Sequence, residues 1–187
     1  EMIKTFSTDR LHVSGAVFDR VKLKWMNAQH LRAKPENELW SLIEPFLKKE
    51  QIDFDKSPQW QAQSLQVFKP YLETLVDAIG LYRSIDDKYF QVLPESKEVK
   101  EWESSKLVIE KWKECLSELS GETLTEDDFL KIQDEVKVRA KAKGKFLFMP
   151  MRVAVIGKPH GTELKILVPL MSKSSLIHRA EKTLSEF

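Results

Sequence analysis

The chain has 187 residues, of which 42% are hydrophobic, and its 30 Lys and Arg nearly balance its 29 Asp and Glu. This is enough apolar material for one sizeable core or two small ones. Its longest apolar runs, such as Leu164 to Met171, fall far short of the roughly 20 residues that span a bilayer. We therefore expect no transmembrane segment and, because charge is mixed through Glu1 to Lys22, no secretory signal.

The residue types needed for metal binding and catalysis are few and scattered. One cysteine, Cys115, excludes an internal disulfide, and its place in a helical apolar pattern predicts a small buried side chain instead of a nucleophile. There is no Gly-rich phosphate loop and no nucleophile elbow. The histidines have neither each other nor cysteine at metal-ligand spacing; they are His12, His30, His160 and His178. The sequence predicts no metal site and no catalytic residue in this chain.

Apolar residues recur at spacings of three and four, which predicts an all-α fold of six to eight helices. Asp19 is a natural N-cap for a first helix that stops before Pro35, because the residue preceding proline disfavours helical geometry. A second helix is predicted over Glu36 to Glu50, where Pro45 introduces a kink or shortens the helix.

The next helical segment opens at Ser57 and Pro58, an N-cap followed by proline at the first helical position. Its apolar residues continue through Val76, and Gly80 is the predicted terminator or break. Near Leu93 the composition shifts from mixed to acidic. This shift predicts a boundary between two helical subdomains, residues 35–94 and 95–187, preceded by a segment of residues 1–34.

A long helix is predicted from Trp102 to Gly121, which can adopt the left-handed cap conformation. Thr125 and the acidic Asp128 three residues later resemble a capping box for the helix that follows. Gly144 is predicted to end that helix.

A turn follows at Gly157, Pro159 and Gly161. After it, Thr162 is the predicted cap of a helix that contains Leu164, and Ser172 is the predicted cap of the last helix.

Charge is unevenly placed along the sequence. Between Glu95 and Glu135 there are thirteen acidic residues and six basic ones, whereas Val136 to Thr162 contains no acid. A polyanion can dock on such an acid-free stretch by releasing counterions, although a solvated helix face gives the same pattern. The cations in this window are Lys137, Arg139, Lys141, Lys143, Lys145, Arg152 and Lys158.

Two stretches, taken together, resemble bacterial glutamyl-tRNA synthetases. The first is Phe6-Ser7-Thr8-Asp9-Arg10, Ser14-Gly15-Ala16-Val17-Phe18-Asp19 and Lys22-Leu23-Lys24-Trp25-Met26-Asn27. The second is Phe148-Met149-Pro150-Met151-Arg152-Val153-Ala154-Val155, followed by Gly157, His160-Gly161 and Glu163-Leu164. Their order and separation fit the family, so the similarity covers nearly the whole chain.

The resemblance implies the C-terminal, tRNA-binding part of a class I aminoacyl-tRNA synthetase. Residues 1–34 would end the stem-contact region, and residues 35–94 and 95–187 would be two anticodon-binding subdomains. The parent enzyme would ligate glutamate to tRNA(Glu) with ATP and Mg²⁺, through motifs that precede this chain. This part would then hold no cofactor and would be inactive alone, in a monomeric, cytoplasmic protein. Met171-Ser172-Lys173-Ser174 looks like one catalytic motif but lies at the wrong end, and we interpret it as a helix cap.

The resemblance also implies which residues contact tRNA. Arg152 would read the anticodon through its planar fork, and the alternative is a surface salt bridge. Leu164 and the turn before it would pack at an anticodon base, and the alternative is core packing. Tyr71 stands where members that discriminate between glutamate and glutamine tRNAs carry arginine, which implies relaxed recognition that extends to tRNA(Gln). The charge pattern, and not the resemblance, adds cations of the acid-free window that could bind phosphates without reading sequence; in the predicted set these are Lys158, Lys145, Lys143, Lys141 and Arg139. Lys69 and Thr162 complete the predicted set.

A helical protein-interaction module is the alternative function. The acidic helix around Trp102 and Trp112 could serve that role if the two tryptophans were exposed in a large apolar patch. Buried tryptophans would leave the basic stretch as the functional surface.

Overall fold

The computed structural model describes residues 4, 7–10, 15, 18–55 and 57–187, and in these ranges it confirms the all-α prediction. Four residues of the first resembling stretch, Phe6, Ser14, Ala16 and Val17, lie outside the described residues, as does His12. The α-helices of the described ranges are α1 Arg20–Ala33, α2 Glu36–Lys49, α3 Pro58–Phe68, α4 Asp77–Arg83, α5 Lys97–Lys100, α6 Glu103–Glu118, α7 Glu126–Ala140, α8 Lys145–Ile156, α9 Leu164–Leu167 and α10 Lys173–Leu184. Short 3₁₀ helices lie at Thr8–Arg10, Lys69–Tyr71, Asp87–Tyr89, Pro94–Ser96 and Val168–Leu170.

The predicted N-caps are confirmed at the starts of α1, α3, α7 and α10, where each cap side chain accepts backbone N–H groups; the caps are Asp19, Ser57, Thr125 and Ser172. The capping box is complete. Thr125 Oγ1 accepts from the Asp128 N–H at 3.1 Å, and Asp128 Oδ2 accepts from the Thr125 N–H at 3.0 Å. The interpretation of the Met171-Ser172-Lys173-Ser174 segment as a helix cap is confirmed as well.

Two glycines do not end the helices that they were predicted to end. The segment that opens at Ser57 breaks earlier, because α3 stops at Phe68 and Pro70 has no N–H to continue the helix. Gly80 then lies inside α4. Similarly, α7 ends at Ala140, and Gly144 instead precedes α8 with a backbone conformation (φ 59°, ψ −139°) that favours glycine.

The prediction that Thr162 caps a helix is wrong. The N-cap position of α9 is Glu163, whose side chain makes no capping hydrogen bond. The Thr162 carbonyl instead accepts a hydrogen bond from Arg152, so this residue is bound to the preceding helix. In contrast, α2 runs uninterrupted through Pro45.

The core is centred on α6, which packs against α7, α8 and α10. Its apolar face is completely buried at Val108, Ile109 and Trp112, and Cys115 is buried beside them as predicted. Near the other end of the chain, α2 packs against α3 and α4 around the buried ring of Tyr82. One cluster of buried residues contains members from both sides of residues 94 and 95, such as Tyr82 and Val108, and the predicted boundary between subdomains stays a prediction.

Helix α1 positions the loop that follows α3. Asn27 Nδ2 donates to the Glu73 carbonyl at 2.5 Å, and Arg32 Nη2 donates to the Pro70 carbonyl at 2.6 Å. These bonds hold the segment that carries Tyr71. Within the described ranges, every helix is too short or too polar to cross a membrane.

Candidate nucleic-acid interface

Helix α8 carries the predicted arginine, and its sequence explains how it is anchored. Pro150 has no N–H, so the Phe146 carbonyl loses its partner within the helix and accepts instead from Ser104 Oγ of α6 at 3.3 Å. The helix ends at Gly157, which adopts the left-handed conformation at φ 74°. The turn of residues 157–162 follows, and we call it the α8–α9 turn.

Arg152 is half-buried on α8 and binds the α8–α9 turn. Its Nη1 donates to the carbonyls of Gly161 at 3.0 Å and Thr162 at 2.7 Å. Within the described ranges Arg152 pairs with no carboxylate, so the surface salt bridge considered as an alternative is not formed there. Two further donors, Nε and Nη2, make no hydrogen bond to the described residues.

A small open cavity lies beside the guanidinium, and we call it the Arg152 cavity. Its volume is about 300 Å³, and its lining is Phe129, Leu130, Gln133, Phe148, Arg152, Glu163, Leu164 and Lys165. Leu164 is buried and also belongs to the hydrophobic core. Core packing of this leucine is therefore observed, and packing at an anticodon base stays a prediction.

A larger cavity of about 720 Å³ lies next to the same turn, and we call it the Tyr71 cavity. One wall comes from the Tyr71 loop and α4, and the other from the end of α8 and the α8–α9 turn. The structure thus brings together Tyr71, Lys158 and Thr162, three predicted residues that are far apart in the sequence. The lining is Tyr71, Glu73, Val76, Asp77, Ile79, Gly80, Leu81 and Ser84 on one side, and Ile156, Lys158, Gly161, Thr162 and Leu167 on the other.

The chemistry of the Tyr71 cavity is mixed. The Tyr71 side chain is about half exposed, and the hydroxyls of Tyr71 and Thr162 can each donate or accept. The Ser84 hydroxyl donates to the Leu81 carbonyl and can therefore only accept from a ligand. Asp77 Oδ2 accepts from the backbone N–H groups of Glu73 at 3.0 Å and Thr74 at 2.7 Å, which keeps a carboxylate in the wall. This cavity can hold a flat polar group that carries both donors and acceptors.

The remaining basic residues do not line either cavity. Lys69 Nζ donates to the carbonyl of Lys34, the C-cap residue of α1, at 2.7 Å. Arg139 is held by Glu118 at 2.6 Å and by Glu135 at 3.0 Å. Its hydrogen bonds to Glu118 and then to Glu135 raise the pKa of Arg139 above its usual value. The predicted cations therefore do not all lie at the two cavities.

Lysines of the α7–α8 connection line a separate apolar cavity of about 620 Å³. Lys141 and Lys143 stand at this cavity with Trp102 and Phe146. Lys145 lies over both rings, 5.3 Å from the centroid of Trp102 and 5.2 Å from that of Phe146.

The two tryptophans named for the alternative function differ in exposure. Trp112 is fully buried, and Trp102 is half-buried against Phe146, with the ring centroids 4.9 Å apart. A large apolar patch on the acidic helix is therefore not formed by these two residues.

Sequence reasoning missed several residues that line the cavities. Phe148 could have been predicted, because it is the first residue of the Phe-Met-Pro-Met-Arg segment that resembles the synthetase family. Glu73, Asp77 and Ser84 carry no such signal, because they enter the site only through the packing of α4 and its loop against the α8–α9 turn.

The fold and these cavities define a class of protein: an all-α domain with basic, aromatic and hydroxyl side chains around a turn, an arrangement that suits unpaired RNA. The sequence profile of one family, described as an anticodon binding domain, matches residues 23–184. The chain belongs to this family.

Known relatives agree with this assignment. The chain is 56% identical over 186 residues to a glutamate–tRNA ligase of Bdellovibrio bacteriovorus, and 30% identical over 186 residues to glutamate–tRNA ligase 2 of Syntrophus aciditrophicus. These matches cover 100% and 99% of this chain, but only 38% of each relative. The predicted resemblance to glutamyl-tRNA synthetases is confirmed.

Solved structures show the same fold. A glutamate–tRNA ligase from Elizabethkingia meningosepticum, in complex with its amino acid, matches with a TM-score of 0.79 and 18% identity over 98% of this chain and 36% of that one. A glutamate–tRNA synthetase from Elizabethkingia anophelis matches with a TM-score of 0.75 and 19% identity over 99% of this chain and 35% of that one.

Proposed function

We propose that this chain holds the anticodon loop of tRNA(Glu) for a glutamate–tRNA ligase of which it forms one part. The observation that carries the proposal is the convergence of Arg152, Tyr71, Lys158 and Thr162 on one turn between two open cavities. The remaining part of that cytoplasmic enzyme would bind ATP and Mg²⁺ and attach glutamate to the far end of the tRNA. The residues at the anticodon would supply recognition and affinity but no chemistry.

Unpaired bases are usually bound by stacking on aromatic or guanidinium planes and by hydrogen bonds to their exposed edges. Arg152 is already oriented by the α8–α9 turn through Nη1, which leaves Nε and Nη2 to reach a base or a phosphate. Phe148, at the same cavity, adds an exposed ring for stacking. This geometry supports a first base at the Arg152 cavity.

A second base would occupy the Tyr71 cavity. The ring of Tyr71 would stack on it, and Lys158 would neutralise a neighbouring phosphate.

Recognition in this cavity would be relaxed. No arginine lines it in the described part of the chain, and the hydroxyls of Tyr71 and Thr162 can each act as donor or acceptor. A base edge that presents hydrogen-bond donors and one that presents acceptors could both form hydrogen bonds there. We therefore propose that the parent enzyme also charges tRNA(Gln).

The function is tested by binding of a fluorescently labelled anticodon stem–loop of tRNA(Glu). Binding should weaken steeply as salt is added, because phosphate contacts release counterions. Arg152→Ala should cost about 1–3 kcal/mol of binding free energy and blunt the preference for the native loop over one with altered bases. Lys48→Ala is the matched control, because this exposed lysine is paired with Glu44, lines neither cavity and is outside the predicted tRNA-binding set.

Absence of binding by the wild-type chain, or equal affinity of the Arg152→Ala and Lys48→Ala variants, would contradict the proposal. Relaxed specificity has its own test, which is aminoacylation of purified tRNA(Glu) and tRNA(Gln) by the full-length enzyme. Tyr71→Arg should favour tRNA(Glu), because the resemblance places arginine at this position in members that discriminate between the two tRNAs. A wild-type enzyme that charges tRNA(Glu) alone would refute relaxed recognition and leave anticodon binding intact.

A further inference from the structure

The two walls of the Tyr71 cavity meet at the ends of two helices. Ser84, the C-cap residue of α4, lines one wall, and Ile156, the last residue of α8, lines the other. The separation of these helix ends therefore sets the width of the cavity.

One buried side chain joins the two helix ends from behind. Arg179 of α10 is completely buried and does not line the cavity. Its Nη1 donates to the carbonyl of Ser84 at 2.7 Å and to the carbonyl of Val155 at 2.8 Å. A single nitrogen atom thus bridges α4 and α8.

Both carbonyls need such a donor because they lie at helix ends, where the last carbonyls have no partner within the helix. The N–H that would normally reach the Val155 carbonyl belongs to position 159, and Pro159 has none. Helix C-terminal ends also carry partial negative charge, which favours a cation. Arg179 supplies donors and charge to two such ends at once.

The rest of the guanidinium is held in place by neighbouring groups. Its Nε donates to Asp87 Oδ1 at 2.6 Å, and its central carbon lies 4.8 Å from the centroid of the Phe90 ring. Burial lowers the pKa of Arg179, and Nη2 is buried with no hydrogen-bond partner in the described residues. An apolar side chain would avoid both costs, and buried ion pairs are often replaced by apolar groups without loss of stability.

We propose that Arg179 is a positioning residue for RNA recognition, which fixes the width of the Tyr71 cavity by tying the end of α4 to the end of α8. The inference rests on the proposed function and deepens it. Arg179 would touch no RNA itself. It would act through Ser84 and Val155, because their helices form the cavity walls that contact RNA.

The test compares Arg179→Met, Arg179→Lys and the control Lys48→Met, a change of an exposed ion-paired lysine outside both cavities. Affinity for the anticodon stem–loop is measured well below each unfolding temperature. Arg179→Met should weaken binding by about tenfold or more, since small misplacements of binding groups are costly. Arg179→Lys should remain close to wild type, because its ammonium can still donate to both carbonyls.

A second variant and a second measurement test the role of Arg179 independently. Asp87→Ala removes the half-exposed acceptor of Nε and should weaken binding in the same direction as Arg179→Met, to a smaller extent. Hydrogen exchange across residues 156–162 should quicken in Arg179→Met and Asp87→Ala but stay unchanged in Lys48→Met.

Unchanged exchange in both variants would overturn the inference. An equal loss of affinity in Arg179→Met and Arg179→Lys would also overturn it. Such a loss would reflect a general loss of stability and not the missing hydrogen bonds to the two carbonyls. The exchange readout uses no RNA. A wild-type chain that fails to bind the stem–loop would therefore refute the proposed function alone, while exchange still decides the role of Arg179.

Discussion

Replacing Gly157 with alanine tests the geometry of the α8–α9 turn most directly. Gly157 has φ +74°, and a Cβ added there would lie 2.0 Å from the carbonyl oxygen of Gln91. The Gly157 carbonyl also accepts from the Leu93 N–H at 2.8 Å and from Ser96 Oγ at 2.9 Å. The new methyl group would push the backbone of Gln91 away and strain these two bonds.

The expected change in the free energy of unfolding follows from these contacts. The left-handed conformation costs alanine about 1 kcal/mol relative to glycine. Weakening two hydrogen bonds adds about 1–3 kcal/mol, so Gly157→Ala should lower the free energy of unfolding by about 2–4 kcal/mol. Gly121 is the matched control, since its φ is +88° but no atom lies within 4 Å of an added Cβ. Gly121→Ala should therefore cost only about 1 kcal/mol.

Urea denaturation followed by circular dichroism gives both free energies of unfolding from midpoints and slopes. The difference between the two variants isolates the contact with Gln91 from the cost of the backbone conformation. Equal destabilisation of Gly157→Ala and Gly121→Ala would refute the close approach of the α8–α9 turn to residues 91–93.

Three other results are expected from local features. Burial raises the pKa of the Cys115 thiol, so iodoacetamide should modify it slowly in the native chain and quickly in urea; fast native labelling would contradict the packing of α6. Thr125→Ala should lower the free energy of unfolding by about 1 kcal/mol in urea titrations, and no change would argue against the capping box. The hydrogen bonds from Thr125 lower the pKa of Asp128, so its stabilising effect is present above the unfolded pKa of about 3.9 and is lost as pH falls through the native value. The stability difference between wild type and Asp128→Asn should accordingly shrink in acid, and a difference that grows would contradict this.

The candidate site was only partly predictable from the sequence. Arg152 and Leu164 could be found because they stand in a motif that resembles a known family. Arg139 was grouped with the phosphate-binding cations from the charge pattern, yet Glu118, twenty-one positions earlier in the chain, holds it at 2.6 Å. A count of charges along the sequence does not reveal which acid faces which base after folding.

The sequence by itself determined the all-α character, the N-caps at Asp19 and Thr125, and the burial of Cys115. These features depend on hydrogen bonds and apolar spacing within a few residues, and the chain carries that information locally.

Only the tertiary structure decided that Tyr71 faces Lys158 and Thr162, and that Arg179 joins the ends of α4 and α8. The groups in these contacts are separated by many residues, and their distances depend on how whole helices pack. Whether a helix ends at Gly80 or at Gly144 also depended on more than the neighbouring residues, because glycine permits a helix break without requiring one.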